Sequence, residues 1–458
     1  MTSAVVVGGG ISGLVAGLLL KKSYENVTII EASPHFGGLL RSVQDDHGIW
    51  YDQGTHIPDL TKIDEVDDIL FGDVLDQANS WHHYDHLPTG NYYKGTWNLE
   101  TQTVSTLGFD DATRAKIEYD ILASKKISPV MNLAEHLANR FGAFTSNLVF
   151  APIYKKLYGQ NLQLADLASN IGGGNFFMFG HERLIAFDKM RTRELKQNPT
   201  MDQKLAFHTE QEFREYFKKL APEASGYLYP KGAKGIGAMI ENIIRKAKRS
   251  GINLITSETV SKITSSRDQI TSVELKEQSS TIDCDYLFWS VPPALGLMAS
   301  GQETTASKAT TRTSNIFHFN LDRPLRNTTS HYLWSWDNED PIFRITLYDN
   351  FRSNNQHLIS AECLTNNDDK DQLNSELIFA ELIKMGIIDP ETSIVSRKIQ
   401  RLANTFPVPT LSFKKSSEEN YNRFISSFSN LGISGRFSGK VWSQSHVLQD
   451  IHQQISNI

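Results

Sequence analysis

The sequence predicts an α/β fold in which a doubly wound, Rossmann-like sheet carries inserted helical and antiparallel-sheet regions. Two observations lead to this prediction. The first is a β-branched run at residues 4–7 that passes into a glycine-rich loop, an apolar helical segment and a second strand at 27–30. The second is a later glycine-rich loop, followed by a predicted helix at 236–250 and a strand at 253–255. Units that alternate in this way are typical of a parallel sheet covered by helices.

The first glycine-rich loop has the spacing that a dinucleotide phosphate requires. Gly8 permits a tight turn after the strand, Gly10 lets a pyrophosphate approach the backbone, and Gly13 lets the helix lie close to the sheet. The helix N-terminus, where Ser12 lies, attracts an anion. Glu31 ends the second strand, where an acid accepts hydrogen bonds from a ribose. We therefore predict a dinucleotide site built from these five residues.

Composition excludes several classes of function. The chain has 458 residues, which suits two or three lobes, and its net charge of −6 provides no basic face for nucleic acid. Its two isolated cysteines, Cys284 and Cys363, fit a reducing compartment and are expected to be buried apolar residues. No secretory signal is visible, and the apolar stretch at 14–20 is too short to cross a bilayer. We expect a cytoplasmic protein without a transmembrane segment.

No metal site is predicted. His82, His83, Asp85 and His86 form a cluster, but their spacing matches no known metal motif and no cysteine supports them. We expect a solvated loop there. The sequence also lacks a Walker loop and indicates no Ser-His-Asp arrangement.

The residues after Glu31 indicate which dinucleotide is bound. The run ASPHFGGLLRS contains Gly38 and Arg41, and WYDQGTH follows with Gly54 and His56. These motifs, over positions 4–56, resemble the FAD-binding start of the clan that holds amine oxidases, protoporphyrinogen oxidases and UDP-galactopyranose mutases. The resemblance implies that Gly38 and Arg41 contact the flavin nucleotide and that residues 54–56 lie beside the isoalloxazine. No cysteine or histidine is a candidate covalent anchor for the flavin, so we expect noncovalent FAD.

The clan's pattern of chain crossings implies discontinuous domains. We expect a FAD-binding domain from residues 1–60, 225–300 and 405–458, a mostly helical substrate or cap region at 61–224, and a β-rich substrate region at 301–404. Finer expectations are an acidic amphipathic helix at 61–80, strands with turns at 84–107, helices through most of 111–220, and a helix at 370–385.

Later segments resemble UDP-galactopyranose mutases, especially the eukaryotic type. The similar segments are FAPIYKKLYG at 150–159, MFGHERLIAFD at 178–188, DPIFRITLYDNFRSNN at 340–355, TFPVPT at 405–410 and GRFSGKVWSQSHVLQ at 435–449. Their order and approximate spacing hold across the chain. The resemblance implies a flavoenzyme whose reduced flavin attacks the anomeric carbon of a nucleotide-activated sugar, with pyranose and furanose forms interconverted and no net electron transfer.

The mutase resemblance also implies roles for particular residues. Arg183 and Arg344 would bind the leaving diphosphate, His56 would lie beside the flavin, and Gly435 with Arg436 would lie near its edge. Three further candidates would contact substrate: Tyr154, Trp334 and Trp442. The two tryptophans stand where the mutases have tyrosines, and GTHIPD replaces an H-x-x-x-H-x-Y motif. The lost hydroxyls weaken the prediction of a nucleotide sugar.

Simpler interpretations stay open for these residues. Arg183 and Arg344 would also serve as salt-bridge partners, Tyr154 as a packing residue, and Trp334 with Trp336 as one core face of a strand. Three functions therefore compete. The first is a mutase-like enzyme, the second is a FAD-dependent oxidase or dehydrogenase acting on a sugar, amine or other small molecule, and the third is a flavin-binding protein without catalysis.

Overall fold

Five strands from distant parts of the chain form a parallel sheet. Their order across the sheet is 253–255, 26–30, 3–7, 286–289 and 431–433, and every neighbouring pair runs parallel. Val5 lies opposite both Thr28 and Leu287 and is fully buried. A strand that is covered on both faces must be apolar throughout, which explains the β-branched runs in the sequence. The predicted α/β class is confirmed in this computed structural model.

The structure describes residues 2–124, 132–169, 182–207, 211–212, 215–216, 226–306, 310–352, 356–367, 373–441 and 443–458. The helices are Ile11–Leu20, Asp64–Phe71, Val74–Ser80, Asp111–Ala123, Leu133–Phe141, Ala143–Thr145, Ala151–Tyr158, Lys189–Leu195, Pro199–Asp202, Gly237–Arg249, Pro293–Ala299, Ser375–Lys384, Leu411–Ser427 and Gln444–Ile455. The strands outside the parallel sheet are Ser42–Gln44, Trp50–Asp52, Trp81–Tyr84, Thr89–Tyr93, Thr96–Asn98, Val104–Ser105, Ile185–Ala186, Tyr227–Pro230, Val260–Ser266, Gln269–Leu275, Thr281–Asp283, Thr311–Leu321, Tyr332–Ser335, Ile342–Leu347, His357–Asn366 and Ile394–Pro407.

Two layers cover the parallel sheet. The helices at 11–20, 237–249 and 444–455 share one apolar core with its first face. A three-stranded antiparallel sheet (260–266, 269–275 and 281–283) and the helices at 293–299 and 411–427 cover the other. Because both faces are buried, the loops that leave the carboxyl ends of the strands at one edge are the place for a ligand.

A second sheet, of seven strands, is formed by other segments of the chain. Its order is 394–407, 311–321, 357–366, 342–347, 332–335, 89–93 and 96–98, and it is antiparallel except where 332–335 meets 89–93. The predicted antiparallel region is therefore present. Strands 89–93 and 96–98 belong to the region 61–224 that is predicted to be mostly helical, yet they pair with this sheet. The domain boundaries given above stay a prediction.

The helical region surrounds a separate apolar core. Helices 111–123, 133–141, 151–158 and 189–195 pack there with the indoles of Trp334 and Trp336. The acidic helix predicted at 61–80 is two helices, because Gly72 takes a φ of 82° between them. The helix predicted at 370–385 is confirmed as Ser375–Lys384. Within the stretch 111–220, which is predicted to be mostly helical, residues 125–131 and 170–181 lie outside the described residues.

Candidate functional site

The first glycine-rich loop has the geometry of a phosphate cradle. Gly8 takes a φ of 105°, and a Cβ at Gly13 would stand 1.8 Å from the carbonyl oxygen of Gly8. These two glycines are therefore required by the fold itself. A Cβ at Gly10, in contrast, would meet no protein atom within 4 Å. The open space above Gly10 is where a ligand would approach the backbone.

The helix that begins at Ile11 presents its N-terminus to this space. Gly10 is its N-cap and forms no side-chain cap hydrogen bond. The amides of the first turn, which includes Ser12, have no intrahelical acceptor and carry a partial positive charge. Glu31 accepts a hydrogen bond of 2.6 Å from the Gly9 amide through Oε2 and one of 2.8 Å from the Ser33 amide through Oε1. Glu31 therefore stands beside the loop with lone pairs left for a ribose hydroxyl.

A second glycine pair extends the cradle. Gly37 donates its amide to the Gly9 carbonyl at 2.8 Å, and Gly38 takes a φ of 57° with its Cβ position 3.3 Å from the Cα of Gly10. Arg41 follows, and its Nε is buried with no hydrogen-bond partner among the described residues. A buried guanidinium nitrogen without a partner is costly unless a ligand oxygen satisfies it. These residues together fit a flavin dinucleotide.

Asp52 joins three parts of the chain at the inner end of this cradle. Its carboxylate accepts hydrogen bonds from the Tyr229 hydroxyl at 2.5 Å, the Ser42 hydroxyl at 2.9 Å and the Ile236 amide at 3.0 Å. Burial raises the pKa of Asp52, and Arg352 opposes that shift. The joint fixes the segment that follows, residues 53–56.

Arg344 and Glu362 lie directly beyond that segment. They face each other across neighbouring strands, and Arg344 donates Nε and Nη2 to the two oxygens of Glu362 at 2.7 Å each. Glu362 also accepts from the Thr55 amide at 3.2 Å. Burial alone would raise the pKa of Glu362, but Arg344 lowers it below its usual value. The pair is therefore charged, and it touches the loop after Gly54, whose Cβ would lie 3.3 Å from Glu362.

His56 shares this environment. Its Nε2 lies 3.0 Å from the Gln53 carbonyl, which can only accept, so Nε2 carries the proton. Burial and the nearby Arg344 lower the pKa of His56 to about 4, so the ring is neutral at pH 7 and Nδ1 is an acceptor. Arg436 exposes its side chain, yet burial and Arg344 lower its pKa. Arg436 therefore keeps solvent-accessible surface although other protein groups, Arg344 among them, lie close to it.

Three further polar residues belong to this electrostatic neighbourhood and were missed by sequence reasoning. Tyr332 lies close enough to Arg344 to interact with its charge, and burial raises its pKa to about 12. Tyr227 interacts with both Tyr332 and Asp59, and it pairs with Asp59 in an isolated β-bridge. Burial raises the pKa of Asp59. Each is half-buried.

Comparison with known proteins agrees with this geometry. The family model described as flavin containing amine oxidoreductase matches residues 11–385. The chain belongs to this family. It is a flavoenzyme.

Solved structures show the same fold over nearly the whole chain. A reduced UDP-galactopyranose mutase is 17% identical with a TM-score of 0.75, covering 100% of this chain and 94% of its own. A protein assigned as a protoporphyrinogen oxidase from Exiguobacterium sp. 255-15 is 13% identical with a TM-score of 0.69, covering 100% and 98%. A CLA-producing fatty acid isomerase from P. acnes is 14% identical with a TM-score of 0.55, covering 99% and 98%. At such identities the likeness concerns the fold alone.

The described contacts of the two candidate arginines lie in different parts of the molecule. Arg183 forms an ion pair of 3.0 Å with Asp202, and its guanidinium lies 5.0 Å from the Phe207 ring and 5.2 Å from the Tyr216 ring. These contacts all lie in the helical region. The described contacts of Arg344 are with other elements, namely the strands of the seven-stranded sheet and residues 54–56.

The structure places the three candidate substrate residues differently. Tyr154 is 2% exposed and stacks on Tyr158 within the helical core. Trp334 is 5% exposed and stacks on Trp336 at 4.9 Å, while its ring centroid lies 5.5 Å from the Arg344 guanidinium. Trp334 therefore supports Arg344 from the core side. Trp442 lies outside the described residues.

The remaining predicted features are ordinary. Cys284 and Cys363 are both free and buried, as expected. Among the described residues no group of histidine, cysteine and acidic side chains could hold a metal ion. None of the helices in the described ranges is both long and apolar enough to cross a membrane.

Proposed function

We propose that this flavoenzyme binds FAD noncovalently and acts as a mutase-like enzyme on a nucleotide-activated sugar, interconverting pyranose and furanose forms. The observation that carries the proposal is Arg344. Its Nε and Nη2 are held by Glu362, and the described residues give its Nη1 no hydrogen-bond partner. A guanidinium fixed in this way is suited to binding an oxyanion next to the flavin.

The charges near Arg344 favour an anionic substrate. Arg344 and Arg436 supply two positive charges, and Glu362 supplies one negative charge. His56 is neutral at pH 7. The resulting positive field attracts a diphosphate and repels a protonated amine. This balance supports a nucleotide sugar over an amine as the substrate.

Arg183 could bind the diphosphate as a second arginine only if it left its contacts in the helical region. It is paired with Asp202 and lies against two aromatic rings, so approach to the flavin would require that pair to break. We propose instead that Arg436 supplies the second positive charge. It follows Gly435 at the carboxyl end of strand 431–433, which belongs to the flavin-binding sheet.

The proposed chemistry divides between cofactor and protein. When bound, reduced FAD supplies the nucleophile of a mutase reaction. Arg344 and Arg436 bind the oxygens of the leaving diphosphate and stabilise their developing charge. His56, with Nε2 directed to Gln53, offers Nδ1 as an acceptor to a sugar hydroxyl. Its low pKa makes it a positioning group and a poor proton acceptor at pH 7.

A specific observation keeps a second function in view. The matching family is described as an oxidoreductase, and tryptophans replace the tyrosines of the mutase pattern at positions 334 and 442. A FAD-dependent oxidase or dehydrogenase acting on an anionic small molecule would use the same arginine. Its substrate would bleach the oxidised flavin, and oxygen or another acceptor would restore the colour.

One assay separates the two functions. The purified protein is incubated with UDP-galactofuranose after reduction by dithionite, beside the oxidised protein, and the products are separated by chromatography. UDP-galactopyranose formed only after reduction supports the mutase. No conversion in either state contradicts it for this sugar and moves the search to substrates that bleach the flavin.

Two arginine variants test the site itself. Arg344→Ala should abolish conversion with FAD content unchanged, because the lost group binds the diphosphate. Arg183→Ala is the matched control, since it removes an arginine from the same chain without changing the site around residues 54–56. Normal turnover by Arg344→Ala would remove Arg344 from the mechanism.

A further inference from the structure

A buried histidine on the seven-stranded sheet is connected to the flavin-facing loop. His318 lies in strand 311–321 and is 0% exposed. Its Nε2 lies 2.8 Å from Oε1 of Gln400, and Gln400 donates Nε2 to Oε1 of Gln53 at 3.4 Å. Gln53 also accepts Arg41 at the same oxygen, at 3.5 Å, and holds His56 through its carbonyl at 3.0 Å. One arm from His318 therefore ends on the residue that orients both Arg41 and His56.

A second arm leaves the other ring nitrogen. Nδ1 of His318 lies 2.6 Å from the Ser360 hydroxyl, which lies 3.2 Å from the Tyr348 hydroxyl. The Asp52 amide donates to that Tyr348 hydroxyl at 3.1 Å. The Tyr51 ring stacks on the imidazole at 4.8 Å with an interplanar angle of 26°. The two arms together form a closed circuit. It runs from Asp52 through His318 to Gln53, and the peptide bond between Asp52 and Gln53 closes it.

The direction of each hydrogen bond follows from the chemistry of the groups. Burial lowers the pKa of His318 to about 4, so the ring is neutral and has one donor and one acceptor. Gln400 presents an oxygen to Nε2, which must therefore carry the proton. Nδ1 is then an acceptor 2.6 Å from the Ser360 hydroxyl, whose one proton is shared between this nitrogen and the Tyr348 oxygen. Each ring nitrogen has one partner of the right kind, and a phenylalanine, leucine or charged residue could not satisfy both.

We propose that His318 is a positioning residue for the flavin-binding loop, which it holds through Gln400 so that Gln53 keeps Arg41 and His56 in place. The three consecutive residues 51–53 each contact this network, and Gly54 follows directly. The proposal rests on the placement of FAD beside residues 53–56, but it is independent of whether the enzyme is a mutase or an oxidase.

The test measures FAD binding by the purified apoprotein, together with the visible absorption spectrum of the reconstituted protein. In His318→Phe the ring can still stack on Tyr51, but Ser360 and Gln400 each lose one of their two partners. We expect the dissociation constant for FAD to rise about tenfold, the equivalent of one to two hydrogen bonds, and the flavin absorption band to shift. His318→Gln retains a donor for Gln400 and should recover most of both properties.

The matched control is Phe319→Leu. Phe319 is the next residue in the same strand, but it faces the opposite side of the sheet and packs on Phe379 at 5.7 Å. This substitution should lower the melting temperature and leave the FAD dissociation constant and the spectrum unchanged. If His318→Phe behaves in the same way, His318 has only a structural role and the proposal is overturned.

Failure of His318→Phe to fold would not prevent the test. Gln400→Leu cuts the same arm at a second point and carries the same expectation, and unchanged FAD binding by that variant also overturns the proposal. Absence of FAD binding by the unsubstituted protein is a distinct result. It would contradict the proposed function, whereas normal binding by the unsubstituted protein with unchanged binding by both variants contradicts only the role of His318.

Discussion

Arg344 and Glu362 occupy paired positions on antiparallel strands, and Trp334 occupies the position opposite Arg344 on its other side. The strand register therefore places an aromatic ring, a guanidinium and a carboxylate in one row across the sheet. Burial makes the register consequential, since Glu362 is 3% exposed and could not remain ionised without its partner. The row ends at Thr55, which donates hydrogen bonds to Glu362, so the sheet and the loop at residues 53–56 share one charged contact.

Glu362→Gln should destabilise the protein by about 3 kcal/mol, because it leaves the Arg344 charge uncompensated in a mostly buried position. Urea unfolding at pH 7 measures the loss. The double variant with Arg344→Gln should recover part of it, since neither charge then remains. Equal stability of Glu362→Gln and the unsubstituted protein would show that the pair is not needed by the fold.

Gly10→Ala should separate ligand binding from folding. The added Cβ would meet no protein atom within 4 Å, and the backbone φ of −71° suits alanine, so the apoprotein should keep its melting temperature. FAD binding should weaken at least tenfold, because the methyl group occupies the space for the pyrophosphate. Calorimetric titration of the apoprotein with FAD measures this. Gly13→Ala is the contrasting variant and should fail to fold, given the 1.8 Å approach to Gly8.

Acid should destabilise the protein in part through His318. Its folded-state pKa of about 4 lies below the usual value of 6.5, so the unfolded chain takes up the proton first. The neutral imidazole contributes its full stabilisation above pH 6.5, and this contribution is lost as the pH falls toward 4. At pH 5 the free energy of unfolding is lower than at neutral pH by about 2 kcal/mol through this group. The His318→Gln variant should show a smaller difference in urea midpoint between pH 7.5 and pH 5. An unchanged difference would mean that other groups account for the acid sensitivity.

Lys156 should be needed for the stability of the fold but not for FAD binding. Its Nζ pairs with Asp340 at 3.2 Å and donates to the Ser335 carbonyl at 3.1 Å, and both ionic side chains are buried. Lys156→Met should cost about 3–5 kcal/mol by leaving the Asp340 charge alone. The double variant with Asp340→Asn should regain most of that loss. The FAD content of the double variant should equal that of the unsubstituted protein. A loss of FAD would instead connect Lys156 with the cofactor site.

Local sequence was sufficient for the first sixty residues. Gly8, Gly10, Gly13 and Glu31 lie within one strand–helix–strand unit, so their geometry depends on contacts that are close in the chain. Glu362 could not be found in this way, because its partner Arg344 lies on another strand and only the register between the strands joins them. The available signal was one acid in the mostly apolar strand segment HLISAECL, which implies a buried counter-charge.

Arg183 shows a different limit of sequence reasoning. The segment FGHERLIAFD suggests a ligand-binding role for Arg183 by resemblance. It does not show where the side chain lies, because that depends on how the helical region packs. Its contact with Asp202 joins residues that are 19 positions apart through helices 189–195 and 199–202. His318, in contrast, gave no signal, since one histidine in an apolar strand is usual and its partners Ser360 and Gln400 lie 42 and 82 positions away.

The order of strands in the parallel sheet has a consequence for biosynthesis. Strand 3–7 is separated from strand 431–433 by about 420 residues, and Gly435 follows that last strand. At about 5–20 residues per second, a ribosome needs roughly 20–85 s to pass from one strand to the other. Throughout that time the glycine-rich loop and strand 26–30 exist without the last strand of their sheet. Since the flavin contacts proposed for Gly435 and Arg436 come from this last strand, the complete site can form only when translation is nearly finished.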